Sequence, residues 1–380
     1  MNQLLENHFR QVLAQDRLFA RERTQAWEQF CSLGGEEKIE MHEEASRSEP
    51  LPIISGCEKS FLILQEGKWN EAKSCREAIP DSVIIVPFSQ AVKNYEFLVA
   101  KSFERSDRAS LLNHALFEDG LFIYVPPGEG RCPPIQIIHM TFLREVGAVK
   151  NVIFCGKGSR VRLLEMYSRG ALWYNVSTNI EVAEEAHCSF VEAGRTSGTL
   201  FSHRTVDVGA RGSYEEVLRG GGRAEQVEIS LSGQEASASS FGLWDLHGTI
   251  ESSFVSLITH HAPQTRSEVR LKSLLRDSSK LHIEARAICA PASSGAIAAQ
   301  KIDNLLLSSS ARYDVEPILE ILHDDVKASH GATSGKIEEE ALLYFMMRGF
   351  SQEEARAALG KAFCQEIILK TPYEIPHGFA

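Results

Sequence analysis

The stretch Val176-Ser177-Thr178-Asn179-Ile180-Glu181-Val182-Ala183-Glu184-Glu185-Ala186 decides the fold. Val176, Thr178, Ile180 and Val182 alternate with more polar neighbours, the period of a strand with one buried face. The run then stops in a small, charged turn. The same grammar recurs. Val227, Ile229 and Leu231 alternate, and so do Leu281, Ile283, Ala285 and Ala287. Four turns, Gly156-Lys157-Gly158-Ser159, Ala183-Glu184-Glu185-Ala186, Gly209-Ala210-Arg211-Gly212 and Ser232-Gly233-Gln234-Glu235, begin at 156, 183, 209 and 232. Their spacings are 27, 26 and 23 residues, room for two strands per repeat. One such unit cannot bury its apolar face alone, whereas stacked units can. A β-sandwich also supplies many short strands, but an unbroken strand–turn pattern from about 115 to 335 is long for one sandwich. The reading is therefore mainly β, with a parallel β-helix as its core.

The flanks differ. Residues 2–31 carry Leu5, Phe9, Val12 and Leu13 at helical spacing, followed less regularly by Phe19, Ala26 and Phe30, and Gly34-Gly35 ends the pattern. Residues 36–60 are polar and irregular, and Phe61-Leu62-Ile63-Leu64 and Val83-Ile84-Ile85-Val86 look like short strands. Beyond 336 the helical period returns. A helix is expected over Ile337–Arg348, with Gly349 at its C-terminal stop, and a second over Gln352–Leu369, opened by Ser351 and Glu354 at capping-box spacing. Three regions follow: 1–110 helical and mixed, 111–335 β-helix, 336–380 helical. The hairpin either caps the open end of the solenoid or docks a partner. Its candidate docking residues are Leu342, Phe345, Met346, Phe350, Leu359 and Phe363.

Composition excludes several functions. With 40 basic and 51 acidic residues the net charge is −11, against a nucleic-acid binder or a polybasic membrane-surface protein. An apolar run long enough to span a bilayer is absent, and the N-terminus lacks a secretory signal pattern, so a cytoplasmic protein is expected. The eight cysteines form no CxxC, and neither a phosphate-binding glycine loop nor a GxSxG or HExxH motif occurs. Asp324-Asp325 reads as a solvated turn and His260-His261 as a structural pair at a strand end.

The segment Asp324-Asp325-Val326-Lys327, Ser329-His330-Gly331-Ala332-Thr333, Glu339-Glu340, Leu343-Tyr344 and Arg348-Gly349 resembles the C-terminal signature of the SufB/SufD family, on the SufD side. Phe122-Ile123-Tyr124-Val125-Pro126-Pro127-Gly128 with Pro134-Ile135-Gln136, then Tyr214-Glu215-Glu216-Val217, Ser230-Leu231-Ser232-Gly233, His261-Ala262-Pro263 and Asn304-Leu305-Leu306-Leu307-Ser308 follow in the family's order. Trp27-Glu28, Phe30 and Leu33-Gly34 resemble its N-terminal helical part. The resemblance implies a right-handed parallel β-helix and a non-catalytic scaffold of the SUF iron–sulfur cluster assembly system. It implies pairing with a SufB-like subunit through the β-helices and with a SufC-like ATPase through the C-terminal helices, or a homodimer in isolation. No stably bound cofactor is implied, only a transient iron–sulfur cluster at the level of the complex. His330 matches the family histidine implicated at the subunit interface and is the candidate iron or cluster contact. Many relatives carry a Cys two residues earlier; here that position is Ala328, so any such contact rests on His330 and on the partner's ligands. A SufB assignment fits less well, since the Glu-His-Glu-Ala-Thr run is here Ser329-His330-Gly331-Ala332-Thr333. Outside this family, the readings are a β-helix polysaccharide lyase or hydrolase, and a homodimeric β-solenoid adaptor without a metal role.

Overall fold

The structure is a computed structural model describing residues 3–15, 18–33, 53–103, 107–130, 132–141, 145–168, 173–194, 199–221, 223–371 and 373. Gly34-Gly35, most of the polar stretch after it, Gly222 and residues 374–380 lie outside the described residues.

The chain begins with α1 (Gln3–Gln15) and α2 (Ala20–Ser32), then β1 (Phe61–Gln65), β2 (Lys68–Trp69) and β3 (Ile84–Pro87). Helices α3 (Phe88–Asn94), α4 (Glu96–Val99) and α5 (Arg108–Leu116) precede β4 (Leu121–Val125). The solenoid strands follow: β5 (Ile135–Met140), β6 (Val146–Cys155), β7 (Arg160–Ser168), β8 (Trp173–Val182), β9 (His187–Gly194), β10 (Thr199–Val208), β11 (Ser213–Gly220) and β12 (Arg223–Leu231). Then come β13 (Ser237–Leu246), β14 (Glu251–His260), β15 (Arg266–Leu275), β16 (Lys280–Cys289), β17 (Ala296–Leu306), β18 (Arg312–Ile321) and β19 (Val326–Lys336). Helices α6 (Glu339–Met347) and α7 (Gln352–Ile368) close the described chain.

Odd and even strands sort into two sheets. One runs β19-β17-β15-β13-β11-β9-β7-β5-β1-β2, the other β18-β16-β14-β12-β10-β8-β6-β4-β3. From β4 and β5 onward every neighbour pair is parallel. Two strands per coil is the repeat expected from the turn spacing, and the fold is a parallel β-solenoid. Parallel strands need a connection that returns the chain to the same end, and the second sheet supplies it. The alternating residues line the lumen: Val176, Ile180, Val182, Val227, Ile229, Leu231, Leu281 and Ile283 form one buried cluster.

The corner after each even strand from β6 to β16 repeats a single backbone device. Gly158, Glu185, Arg211, Glu235, Gln264 and Gly295 all have φ between +54° and +71°. Each donates its N–H to a carbonyl one coil further on, from Gly158 to Glu184 at 2.9 Å through to Gly295 to Asp325 at 2.7 Å. The left-handed residue turns the amide along the solenoid axis, so the corners are stitched as the strands are. Four of the six are not glycine and pay the Cβ strain that the stitch repays. Gly233 is needed for a different reason: a Cβ there would lie 1.9 Å from Ala210 N.

Each outer face is covered over part of its length. The N-terminal helices lie on the β18–β3 sheet, where Phe88, Leu112, Phe117, Phe122, Val152 and Trp173 share a core with Leu5, Phe19 and Trp27. The helical region expected over 2–31 holds two helices; before the second, Phe19 leaves helical geometry (φ −113°, ψ 21°) and packs edge-on to Phe117 at 5.0 Å. Helix α7 lies along the outer face of the other sheet, where Cys364 and Ile367 join Phe241, Leu243 and Leu274. The hairpin therefore flanks the solenoid and does not cap its end.

The lumen is not uniformly apolar. Arg204 reaches between Glu192 and Glu216, 3.2 Å from the latter, with all three side chains sealed from solvent. Tyr214 Oη and Ser240 Oγ donate to Glu216 at 3.0 and 2.7 Å. One coil group away, His139 bridges Glu165 at 2.8 Å and Tyr174 Oη at 3.0 Å. Burial pushes the Glu216 carboxyl up, and Arg204 opposes that.

Candidate functional site

The polar segment that carries the family resemblance forms β19 and the turn before it. Asp325 takes a hydrogen bond from Ser294 Oγ at 2.8 Å, so Asp324-Asp325 is a turn pair, as expected. His260 is buried, bonded to Thr265 Oγ1 and Ser267 Oγ at 2.8 Å each, and burial lowers its pKa to about 4. It is a neutral corner residue, in keeping with the structural reading. His261 beside it is exposed.

His330 lies on β19, the last strand of its sheet, and β18 is the last of the other. Register fixes its direction. Ala298, Gln300 and Ile302 of β17 face the lumen, and they pair with Ala328, His330 and Ala332. Nothing among the described residues covers this final coil, so His330 is exposed at the lumen mouth. The inward-facing residues of β18 are apolar: Tyr313, Val315, Pro317, Leu319 and Ile321 stack on Leu281, Ile283, Ala285, Ala287 and Cys289. Yet Tyr313 and Ile321 remain 39% and 48% exposed, whereas Leu281 and Ile283 are buried. Two unpaired strand edges and an apolar interior surface thus face outward together.

The second feature is α6. Ala341 to Met347 is apolar without interruption, so the helix is apolar all round and one face must stay uncovered. Leu342 is spent inside the chain, buried beside a cleft of about 520 Å³ shared with Leu306, Ile337 and Arg356. Phe363 is spent too, packed on the sheet with the Lys272 ammonium 4.7 Å from its ring centroid. Lys272 also donates to Phe363 O at 3.0 Å and pairs with Glu366 at 2.9 Å, which lowers the Glu366 pKa. Leu359 and Phe345 are half-buried. Of the six candidate docking residues only Met346 and Phe350 are exposed, and with them stand Leu343, Tyr344 and Met347, the last 88% exposed. Tyr344, quoted above only within the family signature, and Met347 are not among the docking candidates, although the seven-residue apolar run is a signal for both. The expected caps are present: Gly349 has φ +94°, and Ser351 and Glu354 form the reciprocal capping box.

Among the described residues, no three His, Cys, Asp or Glu side chains are placed to hold a metal ion together. The one histidine at the lumen mouth, Ala328 in register beside it, and a β edge are what this face offers.

Comparison with known families decides the affiliation. The family described as "SUF system FeS cluster assembly, SufBD core domain" matches residues 143–363, and the "SufBD protein N-terminal region" matches 54–137. The chain belongs to the SufBD family. Relatives of this SufBD chain include a chloroplastic iron–sulfur cluster assembly SufBD family protein of Arabidopsis thaliana, 25% identical over 325 residues (77% of this chain, 57% of the relative). Another, from Staphylococcus saprophyticus, is 26% identical over 281 residues, covering 70% of this chain and 60% of the relative. A third, from Pyropia yezoensis, is 24% identical over 332 residues, covering 79% and 66%. The SufBD chain thus spans about three-fifths of the length of these curated relatives. No helix among its described residues is long and apolar enough to cross a membrane.

Proposed function

We propose that this chain is a SufD-like scaffold subunit of the SUF iron–sulfur cluster assembly complex, working in the cytoplasm and turning over no substrate itself. The observation that carries the reading is the uncovered last coil. Edge strands β18 and β19, with apolar Tyr313, Leu319 and Ile321 between them, match what a second β-helix would bury. A SufB-like subunit takes that place. His330 then stands at the junction, and a nascent cluster meets its imidazole together with ligands from the partner. The exposed side of α6 and the turn after it dock a SufC-like ATPase through Leu343, Met346, Met347 and Phe350.

Removing residues 336–380 is a poor test, because it strips α7 from Phe241, Leu243 and Leu274. Point changes separate the two surfaces. With the partners co-expressed, Tyr313→Lys with Ile321→Lys abolishes SufB-like pairing and spares ATPase binding. Leu343→Glu with Met347→Glu does the reverse. Retention of the SufB-like subunit by the first variant refutes the end-on assembly.

A further inference from the structure

Parallel pairing stacks residues about thirty positions apart into one column of the lumen. In the sheet ending at β19 one column runs Glu216, Ser240, Val269, Gln300 and His330. Gln300 is 4% exposed, and neither its Nε2 nor its Oε1 has a hydrogen-bond partner. Buried carboxamides without partners are uncommon and costly. Its neighbours cannot help. Val269, one rung below, and Ala298 and Ile302, on its own strand, are buried and apolar. The remaining lumen neighbour in the column is His330, one rung above. Rungs lie about 4.8 Å apart, so a turn of the exposed imidazole about its own torsions brings a ring nitrogen within hydrogen-bond reach of the amide. A neutral imidazole presents one donor and one acceptor, and the carboxamide presents both complements.

We infer that Gln300 is a positioning residue for His330: its carboxamide oxygen takes the ring N–H, fixes the tautomer, and holds the ring over the lumen mouth. The other ring nitrogen is then a lone-pair acceptor aimed at whatever covers the last coil. That it meets iron or a cluster there rests on the function proposed above; the pairing itself does not. Hydrogen bonds to the far nitrogen of a ligating histidine commonly set its orientation and basicity in this way.

The test uses the full chain with ¹⁵N-labelled histidine, reading each ring's tautomer from two-bond ¹H–¹⁵N correlations. Exposed His261 is the internal reference. In the wild type one His330 tautomer dominates by about tenfold, the ratio that one net hydrogen bond supplies. In Gln300→Met the ratio falls to that of His261. In Gln300→Glu, which keeps an acceptor at the same reach, the excess returns. Gln300→Leu gives the same readout as the Met variant if that one folds poorly. Equal ratios in wild type and Gln300→Met overturn the inference. If the bias vanishes in Gln300→Met while His330→Ala leaves cluster yield in the complex unchanged, the positioning pair stands and the cluster contact falls.

Discussion

Lys150 should make this protein more stable in mild alkali than at neutrality. It sits on β6 beneath the helical layer and is completely buried. Its Nζ donates to Ser102 O at 2.9 Å and lies 5.0 Å from the Phe103 ring centroid. Burial, reinforced by the Arg23 guanidinium and only partly offset by Asp107, lowers its pKa from 10.5 to about 7. The nearby His114 is held neutral by burial and by Lys150 itself, with a pKa of about 2. An unfolded chain keeps Lys150 protonated up to 10.5, so between pH 7 and 10.5 the unfolded state binds the extra proton. Stability therefore rises with pH across that window and is flat below about 7, where both states hold the proton. At about 1.4 kcal/mol per pH unit, the whole gap corresponds to about 5 kcal/mol. Lys150→Met removes the buried charge together with its hydrogen bond to Ser102 O, which the His114 ring also contacts, at a cost of about 1 kcal/mol. Near pH 7 the variant should be more stable than wild type by about 4 kcal/mol, the gap less the lost hydrogen bond. The assay is urea unfolding of both proteins at steps from pH 7 to 10. Other groups titrating there cancel in the difference between the two curves. Parallel curves, with no convergence as pH rises, refute the reasoning and mean that Lys150 stays charged in the fold.

Five further substitutions test the same geometry. Ile283→Ala, wholly inside the lumen, should cost about 2–5 kcal/mol in denaturant unfolding. Arg204→Leu leaves Glu192 and Glu216 buried together without their cation and should cost about 3–5 kcal/mol at pH 7, with partial recovery at acid pH where Glu216, already pushed up, protonates. Gly233→Ala drives a Cβ into the Ala210 backbone and should lower the thermal midpoint sharply, whereas Glu235→Gly, which relieves a left-handed residue in the same turn, should change stability by less than about 1 kcal/mol. His330→Ala should lower stability by no more than about 1.5 kcal/mol, the one hydrogen bond inferred to Gln300, since the side chain is otherwise exposed, while lowering cluster yield in the reconstituted complex.

The sequence by itself determined the coil. Alternation at Val176 to Val182 and Leu281 to Ala287, broken by turns 23 to 27 residues apart, is a local signal, because strand burial has a period of two and a corner needs small or left-handed residues. The helix caps at Gly349 and Ser351 were legible for the same reason, each being decided within a few residues. Only the tertiary structure decided which side chains remain available. Phe363 looked free until its ring met Lys272, 91 positions earlier, and Leu342 until α6 folded against the β17–β18 corner. Nothing in the sequence beside Lys150 and Arg204 warns of a buried charge, because Ser102 and Arg23, or Glu192 and Glu216, arrive from other elements. His330 is accessible because the solenoid stops at β19, and it stands over an unpartnered Gln300 because parallel pairing converts a separation of thirty residues into one rung. Periodicity identifies the face on which a side chain lies; what meets it there depends on residues that are distant in the chain.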